Sequence, residues 1–142
     1  MSVTSETRCR ALNISKGGVV IAEYVEVAGT SSSRRRGLLG RHGLGPGEAL
    51  YLTPCEWLHT FGMRFRIDVA FLSSTGQVLA VHHGLKPRRL SRLVWRASGA
   101  LELPEGTLHS TGTGRGDVVQ LLHTQTGEPV LVRCATLAPT WK

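Results

Sequence analysis

Residues 55–72, CEWLHTFGMRFRIDVAFL, set a thiol, an imidazole, two guanidinium groups and two carboxylates among apolar side chains. Cys55 and His59 stand four residues apart, the spacing at which a helix would let them share a metal ion. The preceding TPCE supports a turn of helix there: Thr53 can cap, Pro54 suits the first helical position and Glu56 completes a capping box. In an extended segment the two would instead lie ~13 Å apart. Metal bonds of about 2.0–2.3 Å could not span that distance. Gly62 and the strand pattern beyond it leave room for one turn at most, so no metal and no cofactor are expected.

Asp68 is the most informative acid. It interrupts FRIDVAFL, whose alternate residues are apolar in both phases, so both faces of that strand are expected to be covered. A buried carboxylate needs a partner, and His59, Arg64 and Arg66 are the nearby candidates. Asp68 is then either one half of a structural ion pair or the group that orients a pocket arginine or histidine. Glu102, between Leu101 and Leu103, reads as a strand position turned to solvent or to a pocket. His82 and His83, as strand neighbours, point to opposite faces and cannot both enter one site. Nucleophilic catalysis lacks its parts: there is no G-x-S-x-G elbow, and Cys55 has no third member beyond His59. The GTGRG stretch lacks the Lys-Ser/Thr of a phosphate loop, and Gly116-Asp117 reads as turn chemistry.

The elements that must position these groups are mostly strands. GVVIAEYVEVA (18–28) is rich in β-branched residues. EALYL (48–52), ALELP (100–104) and VVQLLH (118–123) are further strands. FRIDVAFLSS and QVLAVHH form a hairpin around Thr75-Gly76, and a last hairpin turns at QTGE into PVLVRCATL. Ser31–Ser33 can cap a short helix carrying Arg34 to Arg41, with Leu38 and Leu39 pinning it to the core. KPRRLSRLVWR (86–96) is a basic loop or ragged helix, and GTLHSTGTGRGD a Gly-rich loop. The expected fold class is mainly β: a compact antiparallel β-sandwich or barrel-like fold with one or two short helices. Residues 1–7 are expected to be disordered, and 8–138 to form a single globular domain of a length that can bury a real core.

Fourteen arginines and three lysines against ten acids give a net charge of +7, which favours an anionic partner. Three scattered cysteines provide neither a disulfide framework nor a four-cysteine zinc site, although one pair could bridge. The first thirty residues lack the pattern of a signal peptide, and no stretch approaches the ~20 apolar residues of a membrane span, so a cytoplasmic location is expected.

HTFGMRFRIDVAFLSSTGQVLAV, followed by ALELPEGT and a late GD, with RRRGLLGR upstream, resembles the domain of unknown function 192 family. The likeness runs from about residue 18 to 122. It implies a compact, mostly β fold and marks Arg36, Gly37, Leu38, His59, Gly62, Met63, Asp68, Glu102, Pro104, Gly116 and Asp117, but it implies no reaction. Arg66 stands where that family usually has Pro.

The leading functional expectation is a small binding or accessory module. Its pocket would be built from His59, Met63, Arg64, Asp68 and Glu102, with a basic rim of Arg36, Arg88 and Arg89, for a small polar or anionic ligand. A hydrolase- or lyase-type enzyme using His59 as acid or base and Asp68 as its orienter is the first alternative. Nucleic-acid association through Arg34–Arg41 and Arg88–Arg96, with Trp95 to stack, is the second.

Overall fold

A computed structural model describes residues 8–130. Seven strands form one curled sheet: β1 (Arg8–Asn13), β2 (Val19–Ala28), β3 (Glu48–Leu52), β4 (Ile67–Leu72), β5 (Val78–Leu85), β6 (Gly99–Pro104) and β7 (Val119–His123). Their spatial order is β5-β4-β6-β3-β2-β1-β7. Among the described residues the fold is mainly β, with two short α-helices, α1 (Ser31–Arg36) and α2 (Thr107–Ser110), and one 3-10 turn at Ile14–Lys16. One pairing departs from the antiparallel expectation, since β2 and β3 run parallel. Parallel neighbours need a crossover connection, and the segment carrying α1 supplies it.

The two outermost strands meet at one end. The Val78 N–H donates to the Asp117 carbonyl at 2.8 Å, and the Val119 N–H to the Gly76 carbonyl at 2.8 Å. The hairpin turn between β4 and β5 therefore closes against the entry to β7, and the sheet curls toward a barrel instead of splitting into a sandwich.

Alternation divides the core in two. One face gathers apolar residues from all seven strands, among them Tyr51, Ala70, Leu72, Leu101 and Leu103. The other face carries Leu50, Leu52, Ile67, Val69, Phe71 and Ala100, and is covered by Leu38, Leu58, Met63, Val94 and Ala97 from the connections. β4 is buried at every position, as its two apolar phases predict.

Thr30, one residue before the serines, caps α1 by a capping box with Ser33, and Gly37 ends the helix at φ 43°, well short of Arg41. Leu38 is buried as expected, while Leu39 stays partly exposed. No helix follows TPCE, because the Thr53 hydroxyl donates to the Ser98 carbonyl at 3.0 Å instead of capping. The 86–96 segment is not helical either. It pairs with residues 56–60: Val94 N–H to Glu56 O at 2.7 Å, Ser91 N–H to Leu58 O at 2.8 Å, and Thr60 N–H to Arg89 O at 2.9 Å. The pair forms a flap laid over the second face of the sheet. The Gly-rich loop contains the single turn α2, and RCRALN is a strand that the sequence patterns leave unassigned. His123 N–H bonds to Glu128 O at 2.8 Å, so the QTGE turn forms. Val130 N–H bonds to Leu121 O at 2.8 Å, while residues 131–137 of that last hairpin, Cys134 among them, the end of the expected domain and the N-terminal 1–7 lie outside the described residues.

Candidate functional site

Glu102 organises the site. In β6 it lies opposite Leu50 on one side and Val69 on the other, so its side chain belongs to the flap-covered face. It is buried, and its Oε2 has no hydrogen-bond partner. Burial pushes its carboxyl up to about 7, a rise that the charge of Arg41 partly offsets. Such a group exchanges a proton near neutral pH and can donate or accept a hydrogen bond.

Above Glu102 runs an open groove of about 1090 Å³ between α1, the 54–63 segment and the 93–98 segment. Leu52, Leu58, Met63 and Ala97 give it an apolar floor, while Arg35, Arg36, Arg96, Trp57 and Trp95 stand on its rim. The Arg96 guanidinium lies 4.6 Å from the centre of the Trp95 ring. Arg34 is committed to structure, its Nη1 donating to the carbonyls of Thr53 at 3.2 Å and Gly29 at 3.3 Å. Cys55 also lines the groove. Burial, followed by the nearby Glu102 charge, pushes its thiol up to about 11, and Sγ donates to the Trp57 carbonyl at 3.1 Å. It is a protonated thiol at neutral pH, a poor nucleophile.

His59 lines the groove too, with Nδ1 accepting from the Phe61 N–H at 3.3 Å and its ring between those of Trp57 and Phe61. The structure thus brings His59, Met63, Glu102 and Arg36 to one concavity. Arg64, Asp68, Arg88 and Arg89 are not part of its lining. Asp68 pairs in register with Leu103, so it belongs to the opposite face of the sheet. Its carboxylate accepts from the N–H groups of Gly84 at 2.9 Å, Gly106 at 3.1 Å and Leu108 at 3.0 Å. Backbone donors occupy the place expected for His59, Arg64 or Arg66, and Arg66 instead lies 4.0 Å from Glu105. His59 and Asp68 share no hydrogen bond, so the acid–orienter pair required by the enzyme alternative is not assembled. Arg64, Arg88 and Arg89 are exposed.

Sequence reasoning missed Trp57. Its signal is the period-two run Trp57-Leu58-His59-Thr60-Phe61, in which Leu58 and Thr60 are buried and the three rings turn outward. His82, singled out in the sequence with His83, has its Nε2 buried and unpartnered on the strand beside Val69, with the ring 6.1 Å from Phe71 and edge-on to it. Burial, then the charge of Arg92, lowers the pKa of His82. Among the described residues no group of three or more His, Cys, Asp or Glu side chains is arranged to hold a metal ion.

The model of the domain of unknown function 192 family, described as an uncharacterized ACR, matches residues 12–121. The chain belongs to that family. No curated protein matches it. Two solved structures resemble this domain of unknown function 192 chain. One, from Sinorhizobium meliloti 1021 and described as a "putative transcription regulator", is 24% identical with a TM-score of 0.68, over 80% of this chain and 92% of that one. The other, a protein of unknown function from Novosphingobium aromaticivorans DSM 12444, is 20% identical with a TM-score of 0.70, over 84% of this chain and 89% of that one. At these identities the likeness is one of fold. Of the positions that the sequence resemblance marks, Arg36, Gly37, Leu38, His59, Met63 and Glu102 line the groove, whereas Asp68 holds the sheet to α2.

Proposed function

We propose that this chain is a small binding module, and that the groove above Glu102 takes a small ligand with an anionic group for the rim, a hydroxyl or amide donor for Glu102 and a flat C–H face for the tryptophans. The observation that carries the reading is the buried carboxyl with an unpartnered Oε2 beneath an open groove. An unsatisfied buried polar atom costs on the order of 1–3 kcal/mol, and a ligand hydroxyl or amide at that point would recover it. Arg35, Arg36 and Arg96 on the rim favour a carboxylate or phosphate, and Trp57 and Trp95 offer flat apolar surfaces for the ligand body. Hydroxylated carboxylates and sugar phosphates combine these features.

The test is an NMR screen of sugar acids, hydroxy acids and sugar phosphates against the 15N-labelled chain. Expected hits move the indole signals of Trp57 and Trp95 and bind about tenfold more weakly to Glu102→Ala, which lacks the carboxyl. Hits that leave both indoles unmoved, or that bind Glu102→Ala as well as the native chain, contradict the reading.

A further inference from the structure

The flap has an outer face that shares Trp57, Leu93, Trp95 and Arg96 with the groove rim and extends beyond it to Phe61 and Leu90. Its paired segments turn Leu58, Thr60, Ser91 and Val94 inward, where they are buried. Turned outward are Trp57, Phe61, Leu90, Leu93 and Trp95, with Leu90, Leu93 and Trp95 at 62, 66 and 73% exposure. Single exposed leucines are ordinary, but these side chains are gathered on two short segments hydrogen-bonded to each other. The ring row Trp57–His59–Phe61 and the bridge between His59 and Leu90 join the two segments.

Cations surround it. Residues 86–96 hold Lys86, Arg88, Arg89, Arg92 and Arg96 and no acid, and all five are exposed. The ion pairs among the described residues involve Arg10, Arg41 and Arg66, so none of the five is neutralised by a carboxylate.

We propose that this outer face docks on an anionic membrane surface. A nucleic-acid strand could use the rings, but Leu90 and Leu93 offer nothing to stack on. An apolar protein partner would bury five cations without counter-charge, which is costly. An acidic bilayer accepts both parts. Leucines and tryptophans enter the interfacial zone, while the arginines keep their heads among the lipid phosphates and their stems along the apolar side chains. Each basic residue held near an anionic leaflet strengthens adsorption by about fivefold. Among the described residues no helix is long and apolar enough to cross a membrane, so the contact is one of docking.

Phe61 and Leu90 do not line the groove, which separates this inference from the binding reading above. The full chain is sedimented with phosphatidylcholine vesicles and with vesicles of phosphatidylcholine and phosphatidylglycerol at 7:3, in about 100 mM salt. Expected is at least a tenfold preference for the anionic vesicles, reduced about tenfold or more by Leu90→Glu or Phe61→Glu at unchanged Tm. Unchanged binding of Leu90→Ala would show simple charge adsorption, and equal or absent binding to both vesicles would remove the surface; either result overturns the proposal. So would a single-stranded oligonucleotide that binds through Phe61 while vesicles are ignored. A dimer dissociated by Leu90→Glu without vesicle binding would also overturn it, assigning the face to a second copy of the chain.

Discussion

Asp68 and Glu102 sit on adjacent strands and point to opposite faces of one sheet, and their surroundings treat them differently. Asp68 accepts three backbone N–H bonds that tie β4 to β5 and to the start of α2. Asn at this position keeps one acceptor oxygen and turns an amide N–H₂ toward backbone donors. Asp68→Asn is therefore expected to cost about 3 kcal/mol and to lower Tm sharply, as read by thermal denaturation. Glu102 behaves in the opposite sense. Its folded value of about 7 lies above the ordinary 4.5, so the folded state holds a proton that the unfolded state has released. The favourable contribution is complete below about pH 4.5 and is lost as pH rises toward 7, over which interval the difference amounts to roughly 3 kcal/mol. Urea denaturation across that window should show native stability falling with pH, and Glu102→Gln should remove most of the slope. Both acids were legible as polar breaks in apolar alternation. Which one was satisfied was not, because the donors to Asp68 at Gly84 and Gly106 lie 16 and 38 residues along the chain.

At the scale of elements, close approach fixes how β6 meets β3. A Cβ on Gly99 would run into the Tyr51 phenol and lie 2.7 Å from the Leu52 carbonyl oxygen. Tyr51 is buried and cannot swing away freely, so Gly99→Ala should lower stability by about 2 kcal/mol. Gly76 closes the curled sheet: it has φ +86°, and an added Cβ would meet the Val119 carbonyl. Gly76→Ala is expected to loosen the contact between the β4–β5 turn and β7, seen as faster hydrogen exchange at the Val78 and Val119 amides. Strands β2 to β7 were readable because β-branched runs and apolar patterns are local properties, whereas β1, with Arg8 and Arg10 among small residues, carries no such run. The parallel β2–β3 pairing was not, since register between strands separated by a helical crossover is set by packing. The one-turn α2 is too short to carry a 3.6-residue pattern, and its N-terminal donors are met by Asp68 from a distant strand.

The whole molecule joins a sheet curled around one core to a flap that covers a second, and Glu102 lies where the second covering is incomplete. His59, Met63, Glu102 and Arg36 reached the same groove because the crossover, the flap and β6 all border it. The expected Arg88 and Arg89 went instead to the flap's outer side, because residues 86–96 pair with residues 56–60 and do not coil into a helix. With a net charge of +7, association with acidic ligands or surfaces should weaken as salt rises. The central claim is that a buried carboxyl, its Oε2 without a protein donor, lies at the base of the groove. The most direct measurement is a 13C NMR titration of the Glu102 side-chain carboxyl in the ligand-free chain. The account predicts a midpoint near 7. A midpoint near the ordinary 4.5 would mean that water or a protein donor already reaches Oε2, and would contradict it.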